Sequence, residues 1–458
     1  MNESPSDPHA APGSLSELSS NKELKYQGVI LGSMYTGYAY FMILRSAPAA
    51  VSPALTNELG LSVEQWGTIV GMSTIGAVIG KLVVALGVDR LGGRITFALG
   101  LILCGLGIAA FGQANSVRML QATFFLALMA KSAGWPAMTC IVKDTFRPAQ
   151  FGRVWGIMGT SSRAGTLLAT LCLGALIAVA PWQTVLVVTG LGGIIIAVGF
   201  AVADAWAAKR LSGLRLDDQE QLDLRQTLTT DQSASNNSLS AFENSIPGTL
   251  MRCVVSRQFW LITISLTGMT IMWDFLQFVP VYLNRALNLS ESASSVTSTA
   301  FPAGSFVAVL FGGFIYDAVS QRKTAVVMGS LLLVATACIG VFPILQVADL
   351  SQSKIIAVVL VTLFIFGACI APCYYIPMSV YSIRAGGLRA GFLVSLLDGI
   401  AFGINAVFQF RAGRVADSSW NQFFLLLGGI ALISAVTMYI FLLGEAQQED
   451  SSGMAPAV

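Results

Sequence analysis

The chain has 458 residues, 55% of them hydrophobic and only 11% charged, and a formal net charge of +2. An ordinary soluble domain is about 25% charged, so this composition excludes a water-soluble globule, and so small a net charge offers nothing to a nucleic acid. The opening stretch, residues 1–27, is rich in Pro and Ser ("MNESPSDPHAAPGSLSELSSNKELK") and lacks the basic, apolar and cleavage regions of a signal peptide in that order. It is expected to be a disordered cytoplasmic tail.

From there, apolar runs long enough to cross a bilayer, about 20 residues each, recur to the end of the chain. Six fall in the first half, at 28–49, 65–88, 95–112, 119–142, 154–180 and 183–206. The first contains "GYAYFMILRSAPAAVSP", with Arg45 near its end. An arginine toward the middle of a span costs about 2.5–3.5 kcal/mol on insertion scales, so it is kept where it faces a partner or a wet cavity. Arg45 is either a residue snorkelling from a helix that ends near Pro48 and Pro53, or a ligand for an anion. Tyr38, on the same helical face, is either a cavity-lining residue or an ordinary packed aromatic.

Further bases follow along the chain: Lys81 deep in the second span ("TIGAVIGKLVVALG"), Lys131 in the fourth ("LALMAKSAGWPAM") and Arg163 in the fifth ("GTSSRAGTLLA"). Cations of one sign in one apolar bundle repel. An anion that bridges them gains several charge-assisted hydrogen bonds at once, and the simplest such anion is a substrate.

Residues 207–256 are polar and Ser/Asn-rich, with charges of both signs, and read as a cytoplasmic linker between two six-helix bundles, 28–206 and 257–443. The second bundle has spans at 259–283, 292–316, 324–347, 355–380, 388–410 and 423–443, and 444–458 form a second cytoplasmic tail. It carries acids where the first carries bases: Asp274 in the seventh span and Asp398 in the eleventh, with Asn405 and Gln409 further along. Three roles stay open for these acids. They neutralise Arg45, Lys81 or Arg163 when the cavity is empty, they take up a coupling proton, or they hold the cationic end of a zwitterion. The cysteines read as small packing residues, and a single His, in the tail, leaves little to hold a metal.

Lys and Arg collect in alternate loops: Arg90 and Arg94, the bases from Lys143 to Arg153, those of the linker, Arg322 and Lys323, then Arg384 and Arg389. Short cytoplasmic loops carry this excess, which puts both termini in the cytoplasm. A multi-pass protein of the plasma (inner) membrane fits this pattern, and an organelle membrane would give the same one.

The loop after the second span reads "ALGVDRLGGRITF" and that after the eighth "GGFIYDAVSQRKTAVV". Each joins a helix end, an acid (Asp89, Asp317) and bases opening the next helix (Arg90 and Arg94; Arg322 and Lys323), a device suited to ion pairs that a rocking motion breaks and remakes. The first loop resembles the signature of the major facilitator superfamily, with Arg90, Gly92 or Gly93, and Arg94 matching and Ala85 standing where the family usually has a glycine. The resemblance covers nearly the whole chain. It implies an all-α polytopic fold of twelve helices in two bundles, with a central cavity opening alternately to either side.

"GYAYFMILRSAPAAVSP", "GKLVVALGVDR", "AGWPAM" and "FRPAQFGRVWGIMGTSSRAG" narrow the resemblance to the organophosphate:phosphate antiporter branch, which includes glycerol-3-phosphate and sugar-phosphate transporters. In that branch an arginine of the first span and one of the seventh grip phosphate. Arg45 matches the first, Lys81 a lysine near the same site, and Tyr38 an aromatic lining residue. Aligned on Pro280, Tyr282 and Leu283, the second arginine falls on Met272.

The expected function is secondary transport of a small organic anion by alternating access, by one chain acting as a monomer, with phosphate or a proton as counter- or co-substrate. Proton-coupled symport of a carboxylate or zwitterion is the alternative within transport. A membrane sensor that binds a sugar phosphate without moving it is the alternative outside it. No Walker loop, dinucleotide fingerprint or catalytic Ser/His/Asp set appears, so neither a cofactor nor an enzyme is expected.

Overall fold

A computed structural model describes residues 13–147, 150–215, 251, 253–317, 321–386 and 390–452. In a bilayer every backbone N–H and C=O must find its partner within the segment, and an α-helix achieves this with no neighbour; the described residues accordingly contain helices and turns but no strand. The first bundle runs α1 (Gly13–Ala50), α2 (Ser52–Glu58), α3 (Val63–Leu91), α4 (Gly93–Phe111), α5 (Val117–Lys131), α6 (Gly134–Thr145), α7 (Phe151–Leu168), α8 (Gly174–Leu176) and α9 (Trp182–Arg215). The second runs α10 (Arg257–Asp274), α11 (Val279–Arg285), α12 (Glu291–Thr297), α13 (Ala300–Asp317), α14 (Gln321–Val347), α15 (Gln352–Gly386), α16 (Ala390–Ser418) and α17 (Trp420–Ser452).

Short polar signals set the boundaries. Ser116, Ser256 and Ser290 each cap a helix by accepting a hydrogen bond from the backbone N–H three residues on. Gly92 turns α3 into α4 with φ of 77°, a conformation that costs a side chain but not a glycine. Among the described residues, ten helical segments are long and apolar enough to span a membrane unaided. The expected spans at 28–49 and 154–180 fall outside that set because they are helical but polar or interrupted: α1 carries Arg45, and α7 carries Arg163 and gives way to a π-helical turn at Ala169–Leu173.

Helices run past the expected bundle limits. α1 begins at Gly13, and its residues Glu23 and Gln27 are tied to the end of the fourth passage: Arg147 pairs with Glu23 at 3.2 Å and Gln27 donates to the Thr145 carbonyl at 3.3 Å. α9 continues to Arg215 and α17 to Ser452. Linker residues 216–250 and the tail ends 1–12 and 453–458 lie outside the described residues.

The bundles meet chiefly where α3 packs on α16 and α7 on α13. At the end remote from the termini they are sealed together. Trp66 donates to the Gln277 carbonyl at 2.9 Å, Arg285 to that of Leu61 at 2.5 Å, and the Val63 amide to Asp417 at 2.9 Å. Arg414 pairs with Glu64 at 2.7 Å, and Asn57 reaches Asn284 at 3.1 Å. A Cβ placed on Gly67 would stand 2.7 Å from the Gly413 Cα, so glycine alone allows this closeness of α3 and α16. Toward the end that carries the termini, Gly156 and Gly159 on α7 and Gly399 and Gly403 on α16 look onto open space. The conformer is closed at the far end and open at the terminal end.

Candidate functional site

Halfway along the bundles the expected charges meet. Arg45 sits in the next-to-last turn of α1 and Asp274 at the last position of α10, where the helix breaks into the 3-10 turn Phe275–Gln277. Their side chains pair across the bundle boundary at 2.8 Å and are 13% and 5% exposed. The other carboxylate oxygen of Asp274 accepts from Asn405 at 2.6 Å and Gln409 at 3.1 Å, both on α16, and Gln409 in turn accepts from Thr74 of α3 at 2.7 Å. The carboxylate that Asp274 offers to Arg45 through one oxygen is thus anchored through the other by two neutral amides.

Lys81 of α3 forms a second pair across the boundary, with Asp398 of α16. This pair is wetter, with side chains 31% and 25% exposed. Tyr374 of α15 donates to the other Asp398 oxygen at 2.9 Å. The ring of Phe402, one turn beyond Asp398, lies 4.2 Å from the Lys81 ammonium and 5.9 Å from the Arg45 guanidinium, so an aromatic face backs both bases.

Arg163 is brought to the same boundary with no acid beside it among the described residues. Its guanidinium packs over Tyr375 at 4.0 Å and Trp273 at 5.3 Å, both from the second bundle, while Nη1 donates to Ser162 and to the Gly159 carbonyl of its own helix. Its Nε and Nη2 are buried with no partner. Tyr38 is buried against Phe41 and Trp135. Lys131, at the end of α5, stands over the Tyr38 ring at 5.9 Å.

The described loop side chains do not join this centre. Arg94 pairs at 2.6 Å with Asp204 of α9, a partner within its own bundle that the loop pattern does not reveal. Arg90, Arg322 and Lys323 are exposed, and the side chains of Asp89 and Asp317 lie outside the described residues. Sequence reasoning also missed Tyr374, Tyr375, Phe402 and the Thr74–Gln409 link. A tyrosine pair between Pro372 and Pro377 reads as packing until the opposite bundle is seen to supply the cations. Met272, where the resemblance places a second arginine, is fully buried.

Chemically, the centre is a set of membrane-buried bases from one bundle facing acids and aromatics from the other, at a boundary that opens to one side. Comparison with known proteins bears on the chain as a whole rather than on this centre. A model described as "Major Facilitator Superfamily" matches residues 30–404. A "Probable hexose phosphate transport protein" of Chlamydia muridarum is 24% identical over 90% of each chain. A "Phosphoglycerate transporter protein" of Salmonella typhimurium is 21% identical over 89% of this chain and 87% of its own. Among solved structures, a bacterial homolog to the human lysosomal transporter Spinster superposes with a TM-score of 0.66 at 15% identity, covering 94% of this chain and 99% of its own.

Proposed function

Since this chain belongs to the Major Facilitator Superfamily, whose fold and relatives are those of membrane transporters rather than enzymes, we propose that it moves a small organic anion, a phosphorylated or carboxylated metabolite, by alternating access. The observation that carries this reading is the Arg45–Asp274 pair at the midplane of the two bundles. A buried guanidinium at such a depth is costly to keep without a counter-charge. Asp274 is a carboxylate of the protein's own, standing where a ligand carboxylate or phosphate would bind. A ligand anion displaces it from Arg45, and the amides of Asn405 and Gln409 hold the displaced carboxylate. Lys81 and Asp398 act as the second such pair. Trading these contacts for ligand contacts frees the bundles to rock about the bound molecule, which closes the terminal end and opens the far one.

By the loop bases, the terminal end faces the cytoplasm. The names of the bacterial relatives support an inner-membrane carrier. Proton-coupled symport of a carboxylate or zwitterion is the second reading. It is favoured by Met272, a buried apolar side chain where two-arginine phosphate exchange would need a base.

The test is uptake into proteoliposomes of phosphate, glycerol phosphate, hexose phosphates, dicarboxylates and amino acids, with internal phosphate or with an imposed proton gradient. Uptake driven by internal phosphate and lost in Arg45→Ala supports exchange. Uptake driven only by protons and lost in Asp274→Asn or Asp398→Asn moves the protein to symport. Binding with no flux under either gradient overturns the transporter reading in favour of a sensor.

A further inference from the structure

Parting the Arg45–Asp274 pair leaves a charge without a partner. Among the described residues Arg45 is the one base that Asp274 contacts, and its other neighbours, Asn405 and Gln409, are neutral amides. The remaining midplane bases are placed elsewhere: Lys81 pairs with Asp398, Lys131 stands over Tyr38, and Arg163 packs over Tyr375 and Trp273. Once a cargo anion takes Arg45, Asp274 keeps its hydrogen bonds but loses its counter-charge, a costly state for a side chain that is 5% exposed. A cation that arrives with the cargo removes that cost.

The surroundings of Asp274 offer oxygen to such a cation. Asp274 closes α10, whose carbonyl end favours positive charge, and the chain then turns through the 3-10 segment Phe275–Gln277. Broken helix ends of this kind, at the midplane between two bundles, are where coupling ions bind in membrane carriers. Side chains three apart eclipse in a 3-10 turn, which sets Gln277 in line with Asp274. The side-chain oxygens of Gln277 and Asn405 are both buried with no hydrogen-bond partner, and the two residues are 8% and 0% exposed. Asn405 directs its NH2 group to Asp274 at 2.6 Å, so its unused oxygen stands within one amide width of that contact. The Gln409 oxygen and the Thr74 hydroxyl, linked at 2.7 Å, add to this polar wall. Asp398, Asn405 and Gln409 share one face of α16, a line that leads from the wet pair to the dry one.

A proton on Asp274 cancels its charge but supplies a single donor, so at least one of the two buried oxygens still lacks a partner. A metal cation engages the carboxylate and both amide oxygens at once. One carboxylate among neutral oxygens suits a hard ion of single charge.

We infer that Asp274, with the side-chain oxygens of Asn405 and Gln277, forms a seat for sodium that fills when the cargo anion takes Arg45. This rests on the reading of the chain as an anion carrier with Arg45 as the ligand's seat, and adds the ion that travels with the cargo. Exchange against internal phosphate then requires sodium on both faces, and an inward sodium gradient drives net uptake when the pH is equal on both sides.

Binding of phosphate, glycerol 3-phosphate and succinate to the full-length protein in detergent is measured in sodium chloride and in choline chloride at equal ionic strength. Uptake of the same anions into proteoliposomes is followed together with radiolabelled sodium. Coupled sites change each other's affinity about 5–150-fold, so sodium is expected to tighten at least one of the anions about tenfold or more and to enter the vesicles with it. By reciprocity, that anion tightens sodium by the same factor. Asp274→Asn, which keeps the shape but removes the charge, loses the sodium dependence, and Gln277→Met raises the sodium concentration needed for half of the effect. Elution profile and thermal unfolding show that each variant is folded. Anion binding that is equal in sodium and choline, or that follows pH and not sodium, overturns the sodium seat and leaves the carrier reading standing. A sodium effect unchanged in folded Asp274→Asn does the same. Failure of the unaltered protein to bind or move any anion in either salt overturns both.

Discussion

At the scale of single residues, the Arg45–Asp274 contact is a buried pair whose halves are each worse off alone than together. Removing one partner of such a pair costs about 3–5 kcal/mol, whereas replacing both by apolar groups of similar size is often neutral. Arg45→Met and Asp274→Leu are therefore each expected to lower the unfolding temperature in detergent, and the double variant to recover most of the loss. Additive losses would show that the two side chains do not depend on each other. Which charges meet was legible in the sequence, because a base or acid inside an apolar run carries its own flag: Arg45, Lys81, Arg163, Asp274 and Asp398 all reach one boundary. Their partners were not. Pairing Arg45 with Asp274 rather than Asp398 depends on how the bundles dock, and nothing in either span encodes that. Tyr375 and Phe402 matter only through cations from the other half of the chain, so their own surroundings in sequence give no hint of it.

At the scale of the helix, the seal between α3 and α16 rests on missing side chains. A Cβ on Gly67 would meet the Gln409 carbonyl at 2.8 Å as well as the Gly413 backbone, and backbone atoms cannot swing aside. Gly67→Val is expected to wedge the far end apart. Spin labels at Asn57 and Asn284, bridged by a hydrogen bond in the sealed conformer, should then move to a longer distance in pulsed electron–electron measurements; an unchanged distance would show that the seal absorbs the methyls. Helix existence was readable from hydropathy for nearly every passage, since length and apolarity leave few alternatives. The two passages that are least apolar, α1 and α7, are also the ones that carry Arg45, Tyr38 and Arg163. Helix ends were less legible. The N-terminal part of α1 is anchored at Glu23 and Gln27 by Arg147 and Thr145, more than a hundred residues away, and local composition cannot announce such contacts.

At the scale of the whole molecule, the far end is shut and the terminal end open, and alternating access requires that the shut end come apart in each cycle. Asn57→Cys combined with Asn284→Cys places two thiols across the seal. Oxidation is expected to stop uptake in proteoliposomes while leaving ligand binding from the terminal side intact, and a reductant to restore flux. Loss of binding together with flux would mean that the far end is part of the binding site instead of a gate. The fold as a whole was legible because twelve runs and one polar break allow little else, and the repeated acid-then-base loops tied the two halves together. The state of the molecule was not legible, because hydropathy and loop charge place each helix without fixing how the two bundles tilt against each other.

The two midplane pairs also stand at different depths of water, and this imposes an order in time. Solvent from the open end reaches Lys81 and Asp398, while Arg45 and Asp274 are nearly dry. In the anion carrier we propose, a molecule entering from the open end meets the wetter Lys81 pair first and the dry Arg45 pair last. Arrival is therefore staged: early contact is easily reversed, and commitment comes only when the dry pair parts.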